Sequence, residues 1–196
     1  ETRMATTLGL EQLAAMEYLY FSGITLAILD EASREYLADI SQNAKQAGAQ
    51  VVFDTNYRSS LWTNSDTAKK VMQAFLKYVN IALPTFVDDQ LVFGDATLEA
   101  SVQRLLENGV SEIVVKCGAE PALVATVNHQ QKVSSCLVDK IIDTTAAGDS
   151  FNSAYLAARL LGFDPVKSCQ YGHELAAKVI TQPGAIISRT IMPKLF

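Results

Sequence analysis

The run Asp143-Thr144-Thr145-Ala146-Ala147-Gly148-Asp149-Ser150-Phe151 combines two features that phosphoryl transfer needs. Side chains at 146 to 148 are small, so backbone N–H groups at a helix start can approach an anion closely, and the helix dipole favours negative charge there. Asp149 falls in the first turn, where its carboxylate would stand beside whatever those groups hold. Such chemistry is mostly charge stabilisation and positioning, with one acceptor for the nucleophile's proton. Spacing alone equally allows an ordinary capping or first-turn aspartate. Two other segments carry candidate groups. Asp54-Thr55-Asn56-Tyr57-Arg58 follows a strand-like run, and the planar Arg58 fork suits a carboxylate or a phosphate; Asp54 and Arg58 also read as a strand-end surface pair. Lys116-Cys117-Gly118 follows another such run, although Lys116 by itself reads as a solvated lysine.

The elements that must position these groups follow from periodicity. Leu10–Met16 reads as a helix end, and Tyr18–Phe21 as a buried strand stopped by Ser22-Gly23. From Asp30 to Ala47 the apolar positions keep helical spacing, with Gly48 as the stop. Val51–Phe53 is a strand, Ser65 or Asp66 caps a helix through Tyr78, and Ile81–Leu83 is a strand ended by Pro84. Leu98–Glu107 is helical up to Gly109, and Ile113–Val115 is a strand. Ala122–Val127 and Gln131–Leu137 flank an Asn128-His129-Gln130 turn as a hairpin. Ile141-Ile142 is strand-like, and helices over Ala147–Leu161 and Asp164–Thr181 close the chain. Strands alternating with helices predict a single domain over 1–196, a doubly wound, mostly parallel α/β sheet with its site at the strand C-terminal ends.

Composition excludes several partners. The 196 residues are 49% hydrophobic and 19% charged, which places the chain among folded globular proteins. With 16 Lys+Arg against 21 Asp+Glu the net charge is −5, which disfavours a nucleic-acid duplex. The apolar stretch Tyr18–Leu29 is too short and mixed to span a bilayer. Cys117, Cys136 and Cys169 have no CxxC spacing and read as buried free thiols of a reducing, cytoplasmic compartment.

Asp143–Asp149 resembles the C-terminal signature of the ribokinase-like (phosphofructokinase B) family of carbohydrate kinases, an Asp-Thr-x-Gly-Ala-Gly-Asp run. Ala146 stands where many members have Gly. Asp54–Arg58, Lys116–Gly118 and Trp62 fit in the same order, and the wording is most similar to members that act on 2-keto-3-deoxygluconate. The resemblance covers essentially the whole chain and implies a ribokinase-like three-layer fold. It implies that Ala146, Ala147 and Gly148 form an anion hole beside Asp149, the catalytic base, which also meets the substrate hydroxyl. Arg58 is then the substrate-carboxylate ligand. Asn56, Thr85, Lys116, Gly118, the loop to Ala122 and His173 are nucleotide contacts, although His173 reads equally as a helix-face residue without chemical duty. The family's Asn-x-x-Glu motif corresponds here to Thr85-Phe86-Val87-Asp88, so Asp88 is the implied Mg²⁺-side carboxylate. His129 reads as a turn residue and Trp62 as packing. The function implied is ATP- and Mg²⁺-dependent phosphorylation of that keto-sugar acid. The alternatives are a fructose- or ribose-type kinase or a non-catalytic nucleotide-binding fragment. Beginning at Glu1, the chain is expected to lack the family's N-terminal third, including the small β-sheet lid and a possible homo-oligomer contact through it.

Overall fold

The computed structural model describes residues 16–194. The chain divides into two compact units, Glu1–Ile113 and Val114–Phe196. In the first, β1 (Tyr18–Ser22) leads into α1 (Gly23–Ile28) and α2 (Glu31–Gln46), then β2 (Gln50–Asp54) and a single 3₁₀ turn (Ser59–Leu61). There follow α3 (Ser65–Leu76), β3 (Ile81–Ala82), α4 (Phe86–Phe93), α5 (Leu98–Glu107) and the start of β4 (Glu112–Cys117). The second unit takes the rest of β4, then β5 (Glu120–Thr126), β6 (His129–Val133), α6 (Ala147–Leu160) and α7 (Pro165–Val179).

The strands form one six-stranded sheet in the order β1-β2-β3-β4-β5-β6. The pairs β1–β2, β2–β3 and β3–β4 are parallel, with Phe21 opposite Phe53 and Phe53 opposite Ala82. Val51, Val52 and Phe53 are all buried, as an apolar run covered on both faces should be. The rings of Phe21, Phe53 and Phe75 meet with centroids 5.4 and 5.6 Å apart, at the centre of the first unit's core. Caps define the helix starts: Asp30, Asn64, Thr97 and Asp164 each accept a first-turn backbone N–H. The α3 cap is therefore Asn64 rather than Ser65 or Asp66. The C-terminal glycines Gly48 and Gly109 adopt φ of +96° and +85° as helix stops.

Several expectations are corrected. The helix predicted over Leu10–Met16 lies, but for its last residue, outside the described residues. Two short helices, α1 and α4, escaped periodicity because each has too few turns to repeat a pattern. The hairpin turn is Val127-Asn128, since Thr126 pairs with His129, so His129 opens β6. Ile141-Ile142 is exposed and outside any strand, its backbone anchored instead by the N–H groups of Ile142 and Asp143, which donate to the Ile180 carbonyl. Among the cysteines only Cys169 is buried; Cys117 is half-buried and Cys136 exposed.

Gly23 begins α1 against the end of β2. A Cβ there would lie 2.0 Å from the Thr55 carbonyl oxygen and 2.5 Å from Met72 Cε. The first of these is backbone and cannot rotate away. Gly23→Ala is expected to destabilise the protein by about 3 kcal/mol, the upper part of the overpacking range. Denaturant unfolding checks this, and a change below about 1 kcal/mol would contradict it.

Candidate active site

Helix α6 begins without a side-chain cap, because Ala146 occupies the N-cap position. Its φ of +58° is left-handed, a conformation that costs a non-glycine residue about 1–2 kcal/mol. That bend turns the chain sharply from the 143–145 segment into the helix. Asp143 fixes the approach: its Oδ1 accepts the Thr145 N–H at 2.8 Å and its Oδ2 the Gly184 N–H at 2.9 Å. A hydrogen bond from the Thr145 side chain, together with those two backbone N–H groups, holds its carboxyl below the usual carboxylate range. The Ala147 N–H bonds back to the Thr144 carbonyl at 3.2 Å, and Gly148 and Asp149 follow in the uncapped first turn. Asp149 is exposed there.

The cation beside this turn is Lys116. A Cβ on Gly148 would stand 3.7 Å from Lys116 Nζ, so the absent side chain leaves the ammonium next to the helix N-terminus. Lys116 is buried rather than solvated, the opposite of its reading in isolation. Its Nζ donates to Asn152 Oδ1 at 2.8 Å and lies 5.9 Å from the Phe151 ring centroid. Asn152 is a site residue that sequence reasoning missed. Its signal was a poor helix former at i+3 from Asp149, on the same helix face. A helix N-terminus, an ammonium and a carboxylate together are a set of groups that can hold an anion beside a proton acceptor.

Other second-unit candidates are placed differently. Gly118, at φ +60°, and Ala119 form the tight turn between β4 and β5. Ala122 lies inside β5 opposite Val133 and is fully buried, so the expected Lys116-to-Ala122 loop is a two-residue turn and the Ala122 side chain cannot touch a ligand. His173, on α7, is buried edge-on to Phe151 at 5.1 Å. Gly172 lets the helices approach, since a Cβ there would come within 2.8 Å of the Phe151 ring. His173 therefore packs against α6 through Phe151. A cavity of about 510 Å³, not foreseen from sequence, opens beside α7 and is lined by Val138, Lys140, Ile142, Glu174, Ala177 and Lys178 among others.

Burial pushes the His173 imidazole below its ordinary value, against a smaller opposite pull from the Val133 backbone. The folded state therefore favours the neutral ring. That contribution is complete above about pH 6.5 and is lost as pH falls, because the unfolded chain takes up the proton first. Wild type is expected to lose melting temperature faster than His173→Phe between about pH 6.5 and 5. Parallel slopes in a thermal-melt series would contradict this.

The first unit carries the remaining candidates. Asn56, half-buried at φ +29°, follows the β2 end, its N–H 3.2 Å from Asp54 Oδ1. Arg58 is exposed, its NH1 donating to the Tyr57 carbonyl at 3.2 Å. Thr85 is the N-cap residue of α4 but makes no side-chain cap bond, and Asp88 Oδ2 accepts the Tyr57 N–H at 3.2 Å. The structure thus brings Asp88 to the Asn56–Arg58 loop and gathers Lys116, Gly148 and Asp149 at the α6 start. Sequence reasoning missed Asp89, buried one residue beyond Asp88.

Among the described residues no group of three or more His, Cys, Asp or Glu could hold a metal, and no helix is long and apolar enough to cross a membrane. The chain is 40% identical over 186 residues to the 2-dehydro-3-deoxygluconokinase of Escherichia coli K12, covering 93% of this chain and 60% of that protein. It thus spans about 60% of that relative's length. The fructokinase of Vibrio cholerae O395, solved with fructose, ADP and calcium ion, superposes with a TM-score of 0.77 at 26% identity, over 91% of this chain and 60% of that one. A ribokinase-type protein of Escherichia coli, solved with ATP and Mg²⁺, gives 0.78 at 26% identity, over 90% and 56%. The family model for pfkB family carbohydrate kinases matches residues 3–192, taking in both the Asp54–Arg58 segment and the α6 start, so this chain belongs to the pfkB family of carbohydrate kinases.

Proposed function

We propose that this chain carries the phosphate-binding and proton-accepting parts of an ATP-dependent kinase for 2-keto-3-deoxygluconate, the sugar acid also called 2-dehydro-3-deoxygluconate. The observation that carries the reading is the start of α6, where Gly148 and Asp149 share the first turn and Lys116 Nζ, from β4, stands beside Gly148. ATP with Mg²⁺ supplies the transferable γ-phosphoryl group when bound. The residues present fit such a ligand: the missing Cβ at Gly148 leaves room for phosphate oxygens against the N–H groups, and Lys116 adds a positive charge there. The 510 Å³ cavity beside α7 is of a size that suits a nucleoside.

Asp149 would accept the proton of the attacking terminal hydroxyl as its oxygen bonds to the γ-phosphorus and the bond from that phosphorus to the departing ADP breaks. Arg58 pairs with the substrate carboxylate, a charge that a neutral sugar lacks. Asn56 and Thr85 are nucleotide contacts in this reading. Asp88 is the carboxylate that would act toward a bound Mg²⁺, a cation that usually keeps several waters and takes oxygens from phosphate. The test is a phosphoryl-transfer assay of the natural full-length protein with 2-keto-3-deoxygluconate, fructose and ribose. The expected result is a kcat/KM for the acid at least about tenfold above either neutral sugar, the worth of one good charge-assisted contact. Preference for fructose or ribose would overturn the substrate assignment.

A further inference from the structure

A buried polar chain in the first unit runs from α5 through α4 to the loop after β2. Arg104 places NH2 2.8 Å from Asp89 Oδ2 and 2.8 Å from Asp95 Oδ2, with its guanidinium carbon 3.7 Å from the Phe93 ring centroid. Asp89 is 0% exposed, and its other oxygen accepts the Thr55 hydroxyl at 2.7 Å. Thr55 is itself buried and directly precedes Asn56. On the far side of Asn56, the neighbouring carboxylate Asp88 accepts the Tyr57 N–H at 3.2 Å. Two adjacent carboxylates of α4 therefore grip the loop on both sides of its left-handed residue.

Burying a carboxylate is costly, and here burial pushes the Asp89 carboxyl up to about 6 in spite of Arg104. A well-packed apolar side chain would serve the core at least as well. What an apolar residue could not do is hold the Thr55 hydroxyl, and with it the backbone direction into Asn56 and Arg58. Asn56 at φ +29° is a strained conformation that persists only where its surroundings over-determine it.

We propose that Asp89, oriented by Arg104, is a positioning residue that sets the Asn56–Arg58 loop through the Thr55 hydroxyl. The kinetic consequence rests on the reading of Arg58 given above; the positional one does not. Three variants of the natural full-length protein separate them: Thr55→Val, which keeps shape but removes the hydroxyl, Thr55→Ser, which keeps it, and Arg58→Ala. Thr55→Val is expected to speed amide hydrogen exchange at Asn56, Tyr57 and Arg58 about tenfold, as the loss of a charge-assisted hydrogen bond would. It is also expected to raise KM for the sugar acid about tenfold. Thr55→Ser is expected to restore both. Unchanged loop exchange, faster exchange spread evenly over the whole unit, or no rescue by serine would overturn the proposal. So would faster loop exchange with an unchanged KM for the acid, if Arg58→Ala raises that KM. If Arg58→Ala also leaves it unchanged, the carboxylate role of Arg58 falls and the positioning role stands on the exchange data. Should Thr55→Val not fold, Arg104→Lys, which keeps the charge and loses the fork, is expected to speed exchange at the same amides about threefold, and no change there would overturn the proposal.

Discussion

Asp149→Asn is expected to lower kcat for phosphorylation of 2-keto-3-deoxygluconate by roughly 10² to 10⁴, the usual worth of a positioned general base. A sugar hydroxyl is a poor nucleophile while it keeps its proton. Asp149 is exposed in the first turn of a helix whose N-terminus and neighbouring ammonium favour anions, and in the function proposed above its carboxylate takes that proton. Asparagine keeps the shape and the first-turn hydrogen bonding but cannot accept the proton. Melting temperature and ATP affinity should therefore change little while turnover collapses. A mutant that keeps more than about a tenth of wild-type kcat would leave less than about 1.4 kcal/mol for the group to supply, too little for a base.

Arg58→Ala is expected to raise the barrier for the acid substrate by about 2–5 kcal/mol, the range for truncating one partner of a desolvated charge pair. Arg58 is exposed and donates to the adjacent Tyr57 carbonyl, so its removal should cost little stability. The energetic effect arises when a carboxylate is enclosed against it. A neutral sugar makes no such pair, and its kcat/KM should fall much less. Equal losses for acid and neutral substrates would move Arg58 from the substrate carboxylate to the phosphate.

Much of this was legible in the sequence, for identifiable reasons. The strands Val51–Phe53 and Ile113–Val115 announced themselves because a parallel strand buried on both faces is a continuous apolar run. Gly48 and Gly109 marked helix ends because a left-handed stop favours glycine. The Asp143–Asp149 run located the α6 start because a run of small residues with an aspartate behind it suits the first turn of a helix, where Ala147, Gly148 and Asp149 stand. What stayed hidden depended on partners distant in sequence. Nothing local distinguishes a surface lysine from Lys116, whose burial rests on Asn152, 36 positions later. Asp89 looks like any helical carboxylate until Thr55 and Arg104 are seen on its two oxygens. Ile141-Ile142 read as a strand from its residue types, yet it is exposed and held by the end of α7.

The most direct test of the phosphate site is calorimetric titration of the folded 196-residue chain with MgATP, beside the same titration of Lys116→Met. The expected result is saturable binding in the millimolar range or tighter, weakened about tenfold or more by loss of the ammonium at the α6 start. A folded wild-type sample that shows neither heat nor thermal shift at millimolar nucleotide, or a Lys116→Met chain that binds as well as wild type, would contradict it.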